Sequence, residues 1–390
     1  MVEYAFATEE QKELANTARE ILEKELKPRI HELEMANNGR GEFPKDVLKT
    51  LAEAGYFCMD IPEEWGGLGL DHVTRCLIHE EMAKVDAGFA FNFNGAGLNW
   101  PYIIKSHLPE EEKHKWIDGM LAGDITGAIG FTEAEAGSDA AAIRATAEFD
   151  ESTREWVING TKTFVTNGPL ADYYIVAAWT DKTKSAGKGI SFFFVEKERG
   201  PKVGHIEDKL GLKLSVTSEI IFDNVRVPED HLVGEEGHAF GLFMGQLDES
   251  RVEGMIYALG ISQAAVDYAV DYAKVRKAFG KRIFDHQGLN FKLAEMQVRV
   301  DTARAILYEG ARCLDAGLPL GTLSSSSKIY VTESCVQNTL DAIQVFGGYG
   351  YMKDYPVEKL LRDSKVFTIF EGTTEINKLV IARMLDKKRS

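Results

Sequence analysis

The 390-residue sequence has few cysteines, no long apolar run and a deficit of basic residues. Its four cysteines, Cys58, Cys76, Cys313 and Cys335, lie far apart and show neither a CxxC motif nor a Cys/His ligand spacing. This pattern supports neither a disulfide framework nor a structural zinc site. We therefore expect free, mostly buried thiols and no bound metal.

Segments long enough to cross a membrane are also missing. Residues 190–195 (ISFFFV) form one of the longest apolar runs, whereas a spanning helix needs ~20 such residues. The start of the chain, MVEYAFATEEQ, has no basic stretch followed by an apolar one, as a secretory signal would. We expect a protein without a membrane span, in the cytoplasm.

The charge balance disfavours polyanionic partners. Forty-five basic residues face 61 acidic ones, which gives a net charge of −16. Phosphates of nucleic acids or anionic lipids would be repelled by such a chain. With 44% hydrophobic residues and a prior of roughly 150 residues per domain, the length suggests two or three folded units.

Hydrophobic periodicity divides the chain into three segments. Thr8 and Gln11 form a predicted capping box, and apolar residues then recur at helical spacing, with further helices up to about Gly123. From about residue 126 to 233, runs with a period of 2 alternate with turn signals and predict strands at 143–149, 156–165, 172–180, 189–196 and 219–227. Long helical patterns return after Gly237. We predict an α+β multidomain fold: an N-terminal helical domain (1–123), a middle antiparallel β-domain of barrel or sandwich type (124–234) and a C-terminal four-helix bundle (235–390).

Six motifs carry a resemblance to a known family. They are GFTEAEAGSDAAAI (130–143), NGTKTFVTNG (159–168), LGLKLSVTSEIIFDNVRVP (210–228), RKAFGKRIFDHQ (276–287), QVFGGYGY (344–351) and IFEGTTEINKLVIAR (369–383). In order and spacing they resemble the acyl-CoA dehydrogenase family, and bacterial short-chain, butyryl-type members in particular. The resemblance implies the same three-domain fold, assembled as a homotetramer (a dimer of dimers) with one FAD per subunit.

The resemblance also implies which residues contact FAD. In one subunit these are Ile129, Phe131, Thr132, Gly137, Ser138, Phe164, Thr166, Thr373 and Glu375. Many family members carry Trp at the position of Phe164, so an indole-specific contact is in doubt here. From a neighbouring subunit, contacts with the diphosphate and adenosine parts are implied for Arg276, Phe279, Gln287, Gln344, Gly347 and Gly348. Arg suits this position because its planar guanidinium matches phosphate oxygens. Ordinary alternatives are a core aromatic for Phe164 and a solvated helix end for the basic run.

Glu371 is the implied catalytic base. It would take the α-proton of an acyl-CoA while the β-hydrogen leaves as hydride to flavin N5, giving a 2-enoyl-CoA. A solvated carboxylate is too weak a base for a thioester α-proton, so we expect an apolar surrounding, from Ile369 and Phe370, to raise its pKa. The alternative is that Glu371 only caps a helix. Some relatives carry the base immediately before Arg251, but this chain has Ser250 there.

The implied substrate contacts are less sharply defined. They are Ser138 near the thioester arm, Asp248 and Arg251 near the pantetheine and adenine, Gly372 near the reacting atoms, and Phe91, Asn94, Leu98 and Gly254 around the acyl group. For Asp248 a surface salt bridge with Arg251 is an equal alternative. Aromatic residues interleaved with asparagines, opposite the small Gly254, predict a compact acyl group that is short, branched or alicyclic. The alternative is that Phe91, Phe93 and Trp100 are core residues around an ordinary butyryl-type pocket.

Three functions therefore remain open at this point. An FAD-dependent dehydrogenase would pass electrons to electron-transfer flavoprotein or a similar carrier. A flavin acyl-CoA oxidase would use O₂, but such oxidases are usually longer than this chain. A catalytically silent CoA-binding relative would have lost the chemistry, which the joint presence of Glu371, Thr132 and Thr166 argues against.

Overall fold

The computed structural model describes residues 6–387, so the outermost residues of the predicted segments 1–123 and 235–390 lie outside it. The described chain folds as a helical segment, a segment dominated by β-strands, and a second helical segment, in the predicted order.

Six helices form the N-terminal segment. They are α1 (Glu9–Glu25), α2 (Ile30–Gly39), α3 (Lys45–Glu53), α4 (His72–Gly97), α5 (Trp100–Lys105) and α6 (Glu110–Leu121). The predicted capping box is confirmed, because the Gln11 N–H donates to Thr8 Oγ1 (3.2 Å) and the Thr8 N–H to Gln11 Oε1 (3.0 Å).

Helix α4 is bent at Asp86, just before the stretch that carries the predicted acyl-pocket residues. Asp86 has extended backbone angles (φ −155°, ψ 112°), and its carboxylate accepts the N–H of Phe89 at 2.7 Å. This contact restarts the helix in the way an N-terminal cap does. The bend therefore sets the direction of the second half of α4, which carries the sequence FAFNFNGAGL.

Eight strands form one sheet in the middle segment. They are β1 (Gly127–Gly130), β2 (Thr146–Asp150), β3 (Glu155–Thr166), β4 (Tyr173–Trp179), β5 (Ile190–Glu196), β6 (Lys202–Ile206), β7 (Thr217–Pro228) and β8 (Leu232–Val233), with the short helix α7 (Ala186–Gly189) before β5. The order is β6-β7-β3-β2-β4-β5-β8, and β1 pairs with β4. All five predicted strands exist, whereas β1, β6 and β8 were not predicted.

The middle segment was predicted to be antiparallel, but two of its strand pairs run parallel. Strands β1 and β2 both run parallel to β4, with Gly127–Gly130 alongside residues 173–176 and Thr146 opposite Trp179. The two strands thus lie one after the other along the same edge of β4. Residues 131–145 leave the sheet between them, which carries the GFTEAEAGSD segment out toward the helices.

The strands β4 and β5 are buried on both faces. Ile175, Ala177 and Phe192 belong to the main core, which they share with the helices, whereas the alternate residues Val176 and Phe193 belong to a second core. That second core is also lined by β2, β3 and β7. The period of 2 along a strand explains this division, and it anchors the β-segment firmly to the helical segments.

The described C-terminal segment contains six helices rather than four. They are α8 (Ala239–Glu253), α9 (Ile256–Val275), α10 (Gln287–Asp315), α11 (Leu323–Phe346), α12 (Val357–Ser364) and α13 (Thr374–Lys387), with a small hairpin of β9 (Lys277–Ala278) and β10 (Lys281–Arg282) after α9. The long helices α9, α10 and α11 pack on one another, and α8, α12 and α13 pack on α11. The four longest helices, α8 to α11, correspond to the predicted bundle, and the shorter α12 and α13 are additional.

Two expectations from the sequence concern the cysteines and the membrane-spanning segments. Cys58, Cys76 and Cys335 are buried free thiols and Cys313 is half-buried. Between residues 6 and 387, no helix combines the length and the apolar character that a membrane crossing requires. The cytoplasmic location stays a prediction.

Candidate active site

Glu371 lies in a strained turn that leads into α13. Its φ is 55° and that of Gly372 is 80°, a left-handed conformation that non-glycine residues rarely adopt and that is found at functional sites. The cap of α13 comes from Thr373, whose Oγ1 accepts the N–H of Ile376 at 3.3 Å. The cap alternative is therefore wrong for Glu371, whose side chain points elsewhere.

The Glu371 carboxylate is held by the end of α8. Ser250 Oγ donates a hydrogen bond of 2.7 Å to Glu371 Oε2. Arg251, which is buried, donates from Nε to the Glu371 carbonyl oxygen at 3.3 Å. In residues 6–387, the backbone N–H of Glu371 donates to no carbonyl or side chain. The loop thus offers one oriented carboxylate and one free donor close together.

Arg251 also forms an ion pair with Asp248, which the sequence analysis gave as the alternative to a contact with CoA. Arg251 Nη1 lies 3.0 Å from Asp248 Oδ1, and Ser324 Oγ donates to that same oxygen at 3.0 Å. Asp248 is half-exposed and Arg251 is buried. Arg251 therefore braces the loop that carries Glu371, and any contact of this pair with CoA stays a prediction.

Burial raises the pKa of the Glu371 carboxyl group, against the opposing effects of the Ser250 hydrogen bond and of the positive charges on Arg251 and Lys328. The apolar surface comes from Phe370, whose ring lies 5.1 Å from that of Phe91. Ile369 does not contribute as expected, because it is 54% exposed. Residue order alone could not reveal this, since neighbours in a turn point in different directions.

Two polar side chains near Glu371 were not predicted. Lys328 on α11 is completely buried, its Nζ has no hydrogen-bond partner within residues 6–387, and burial lowers its pKa to about 8. The Tyr102 hydroxyl donates to Gln246, and burial together with the Glu371 charge raises its pKa. Both come from helices distant in sequence, so no local motif could have identified them.

Four of the predicted flavin contacts lie on β1, on β3 and on the segment that follows β1. Ile129, Thr132 and Thr166 are half-buried, whereas Phe164 is 65% exposed with a φ of 54°. A hydrogen bond of 2.9 Å from the Thr163 N–H to the Thr132 carbonyl joins the two segments. An exposed aromatic ring in a strained conformation, flanked by hydroxyl groups, suits a flat, polar-edged group such as a flavin.

The GFTEAEAGSD segment is anchored by a buried ion pair. Lys162 Nζ lies 2.7 Å from Glu133 Oε1 and 3.1 Å from the Phe131 carbonyl oxygen. The Phe131 ring is buried and stacks on Phe243 at 4.0 Å, so it faces α8 rather than open space. Gly137 and Ser138 are exposed, in accord with a close approach of a ligand to the backbone.

The residues predicted to reach a neighbour's cofactor form a second group. Arg276, Gly347 and Gly348 line a cavity of about 440 Å³, and the Arg276 guanidinium lies 5.8 Å from the Tyr349 ring centroid. Beside them Phe279 is 96% exposed with a φ of 51°. The remaining members of this group, Gln287 and Gln344, are also exposed.

One face of α4 is open where the acyl pocket was predicted. Phe91, Asn94 and Leu98 are half-buried, whereas Phe93 is a core residue as the alternative proposed. A Cβ at Gly254 would lie 2.5 Å from the Ser250 carbonyl oxygen and within 4 Å of no facing element. Glycine is thus needed for close backbone approach, and the space beside it is open.

The sequence was compared with protein families and with known proteins. It matches the N-terminal, middle and C-terminal domains of acyl-CoA dehydrogenase over residues 8–124, 128–225 and 237–385. An acyl-CoA dehydrogenase of Bacillus subtilis is 41% identical over 97% of this chain and 98% of its own. A 3-(aryl)acrylate reductase of Clostridium sporogenes is 38% identical over 98% of this chain and 100% of its own.

Solved structures agree with this assignment. Butyryl-CoA dehydrogenase from Megasphaera elsdenii has a TM-score of 0.91 and 35% identity, with coverage of 97% of this chain and 98% of that one. A chain from a study of the electron transferring flavoprotein of Acidaminococcus fermentans also has a TM-score of 0.91, with 36% identity and coverage of 98% and 99%. Together with the three matched domains, these similarities show that the chain belongs to the acyl-CoA dehydrogenase family and is an FAD-dependent oxidoreductase.

Proposed function

We propose that the protein catalyses the α,β-dehydrogenation of an acyl-CoA thioester, with Glu371 as the base that accepts the α-proton. The observation that carries this proposal is the Glu371 carboxylate itself. Ser250 orients it, burial raises its pKa, and the residue before it, Phe370, packs against Phe91. A raised pKa makes a carboxylate a stronger base at neutral pH.

The chain's own residues would promote proton removal in three ways. Ser250 keeps one carboxylate oxygen fixed, which leaves the other oxygen to face the α-carbon. The free N–H of Glu371 would donate to the thioester oxygen, where negative charge develops. The buried cations of Arg251 and Lys328 oppose protonation of the resting base. When bound, FAD supplies the acceptor for the β-hydride.

The residues around Phe164 and around Arg276 fit the two ends of FAD. Ile129, Thr132, Phe164 and Thr166 offer an aromatic face and hydroxyl groups for a flavin, with Thr373 and Glu375 nearby in sequence to Glu371. The Arg276 cavity offers a cation and a glycine backbone for a diphosphate. We infer that this cavity serves the FAD of a neighbouring subunit in a homotetramer.

The acyl group is proposed to be compact: short, branched or alicyclic. Support comes from the open space at Gly254 and the half-buried face of Phe91, Asn94 and Leu98. Butyryl-CoA dehydrogenase is among the structural relatives, in accord with a short chain. A kcat/KM series over butyryl-, isobutyryl-, cyclohexanecarboxyl- and octanoyl-CoA tests this point, and a preference for octanoyl-CoA would exclude it.

The electron acceptor is proposed to be an electron-transfer flavoprotein or a similar one-electron carrier. Support comes from the structural similarity to a chain studied with the electron transferring flavoprotein of A. fermentans. An oxidase that uses O₂ and a catalytically silent relative are the competing functions.

One visible spectrum separates the three functions. We expect the purified protein to show flavin bands that an acyl-CoA bleaches without air and that return only slowly in air. Rapid return with formation of peroxide would identify an oxidase. Bands that no acyl-CoA bleaches would identify a silent relative and overturn the proposal.

A further inference from the structure

Beyond the aromatic wall of the site lies a group of buried polar side chains. Phe91 contacts Phe370 on one side (5.1 Å) and Tyr257 on the other (5.7 Å). Tyr257 on α9 follows Gly254 by one helical turn, and the His79 ring lies 5.4 Å from it. Tyr257 therefore connects Phe91, a predicted acyl-pocket residue, with His79.

These two side chains lack hydrogen-bond partners inside the described protein. Tyr257 is 1% exposed and His79 is 2% exposed, yet within residues 6–387 neither the Tyr257 hydroxyl nor His79 Nδ1 has a partner. An unpaired buried polar group costs about 1–3 kcal/mol. Two such groups side by side, next to a pocket that receives a ligand, indicate that the ligand supplies the missing partner.

Asn94 connects this pair to the open part of the pocket. It lies on the half-buried face of α4 with Phe91, and its side chain is close enough to the Tyr257 hydroxyl to oppose the rise in the Tyr257 pKa that burial causes. The hydroxyl thus lies near Asn94, a residue of the half-buried face of α4. A ligand group that reaches Asn94 can also reach Tyr257.

The charged residues near Tyr257 and His79 already form ion pairs with one another. Glu253 binds Arg75 (2.7 Å) and His72 (2.6 Å), and Asp60 also binds Arg75 (3.0 Å). Burial lowers the pKa of His79 to about 4, so that it is neutral at pH 7. A carboxylate at the end of the acyl chain would meet two carboxylates and an arginine already paired with both, which disfavours a dicarboxylic acyl group.

A metal ion is equally disfavoured at this place. His72, Glu249 and Glu253 offer ligand atoms within 4.8 Å of one another. The Arg75 guanidinium, however, lies 2.7 Å from Glu253 Oε1 and 3.9 Å from Glu249 Oε1. It supplies the positive charge that a metal would otherwise bring.

We propose that the acyl group carries a neutral hydroxyl at its far end, which hydrogen-bonds to the Tyr257 hydroxyl and to His79 Nδ1. This inference rests on the proposed function, because it assumes that an acyl-CoA occupies the pocket. A hydroxyl donates one hydrogen bond and accepts others, so it satisfies both groups at once. The aromatic walls of Phe91 and Phe370 accept either a ring or a short chain as the carrier of that hydroxyl.

The test compares matched acyl-CoAs on the FAD-loaded enzyme. One pair is 3-phenylpropionyl-CoA and 3-(4-hydroxyphenyl)propionyl-CoA, and the other is butyryl-CoA and 4-hydroxybutyryl-CoA. We expect kcat/KM to favour the hydroxylated member of at least one pair by about 10-fold or more, because sites built around a substrate hydroxyl reject the analogue that lacks it. The pair that shows the preference identifies a ring or a chain, and equal values in both pairs would overturn the proposal.

Substitutions test whether Tyr257 and His79 cause the preference for the hydroxylated acyl-CoA. Tyr257→Phe should lose most of the preference, measured as the ratio of kcat/KM between the two members of a pair. The matched control is Tyr56→Phe, which removes another tyrosine hydroxyl, one bonded to the Leu14 carbonyl oxygen, and should keep the preference. Retention of the full preference in both Tyr257→Phe and His79→Leu would contradict the assignment.

Binding measurements separate this inference from the reaction itself. Calorimetric titration of Glu371→Gln with the same pairs measures the preference without turnover. If no acyl-CoA reduces the flavin of the wild-type protein but the hydroxylated ligands bind at least about 10-fold more tightly, the proposed reaction fails and the hydroxyl site stands. Tighter binding of glutaryl-CoA than of 4-hydroxybutyryl-CoA would contradict the neutral character of the site.

Discussion

Opposing effects act on the pKa of the Glu371 carboxyl group. Burial raises its pKa, whereas the Ser250 hydroxyl and the charges of Arg251 and Lys328 lower it, and the net direction is upward. Only the deprotonated form can accept a proton. The rate of flavin reduction should therefore fall as the pH is lowered through the pKa of Glu371, in a range above that of an ordinary glutamate.

Ser250→Ala tests the contribution of the hydroxyl donor. Loss of the Ser250 hydrogen bond, which lowers the pKa of Glu371, should raise that pKa further. The acidic limb of the kcat/KM profile should then move to higher pH, because the carboxylate is protonated over a wider range. The exposed Ser185→Ala is the control. An unchanged limb, or one displaced to lower pH, would show that Ser250 does not hold the base.

At the scale of secondary-structure elements, short sequence patterns predicted the features that depend on residues close together in the chain. The capping box of α1 and the five main strands follow from residue types at fixed spacings, and the structure has them. The parallel pairing of β1 and β2 with β4 could not be predicted in this way, because it depends on where the 131–145 loop leaves the sheet. The bend of α4 at Asp86 was also not predicted; there Asp86 caps the second half of the helix and pairs with Lys359 of α12.

Thr8→Ala tests the energetic weight of the predicted cap. The variant loses the hydrogen bond from the Gln11 N–H to Thr8 Oγ1, whereas the backbone N–H of residue 8 can still donate to Gln11 Oε1. We expect the free energy of unfolding, from denaturant titration, to fall by about 1 kcal/mol with kcat unchanged. Asn16→Ala, on the exposed side of the same helix, should cause no loss. A Thr8→Ala protein as stable as the wild type would contradict this account of how α1 begins.

At the scale of the whole molecule, exposed apolar residues indicate contacts beyond one chain. Phe279 is 96% exposed and Tyr351 is 80% exposed, and both lie in segments close in sequence to residues that line the Arg276 cavity. Exposed apolar patches of this kind mark interaction sites. They support the proposal that FAD binding and subunit assembly depend on each other.

Arg276→Ala tests that dependence. The variant should lose FAD on dilution or gel filtration, because a cofactor bound only by the assembled protein dissociates as the subunits separate. Arg282→Ala, on the same hairpin, removes an exposed arginine that pairs with Asp285 and should retain FAD. A monomeric protein that holds FAD stoichiometrically would overturn the shared-site proposal.

The sequence predicted Glu371 as the base but did not predict the residues that surround it. Glu371 is recognisable because a short motif carries it, whereas Lys328 and Tyr257 come from helices that only the folded chain brings to the site. Neither residue lies in a pattern that differs from ordinary helix interior. A candidate functional side chain in a loop motif could thus be predicted from the sequence, whereas candidate side chains inside packed helices could not.

The most direct measurement is the rate of flavin reduction by Glu371→Gln in rapid mixing with an acyl-CoA. The variant should fold, bind FAD as the wild type does, and reduce its flavin at least ~10⁴-fold more slowly, because no other group is positioned to take the α-proton. The exposed Glu111→Gln should react at the wild-type rate. Flavin reduction by Glu371→Gln at nearly the wild-type rate would contradict the central claim that Glu371 is the base.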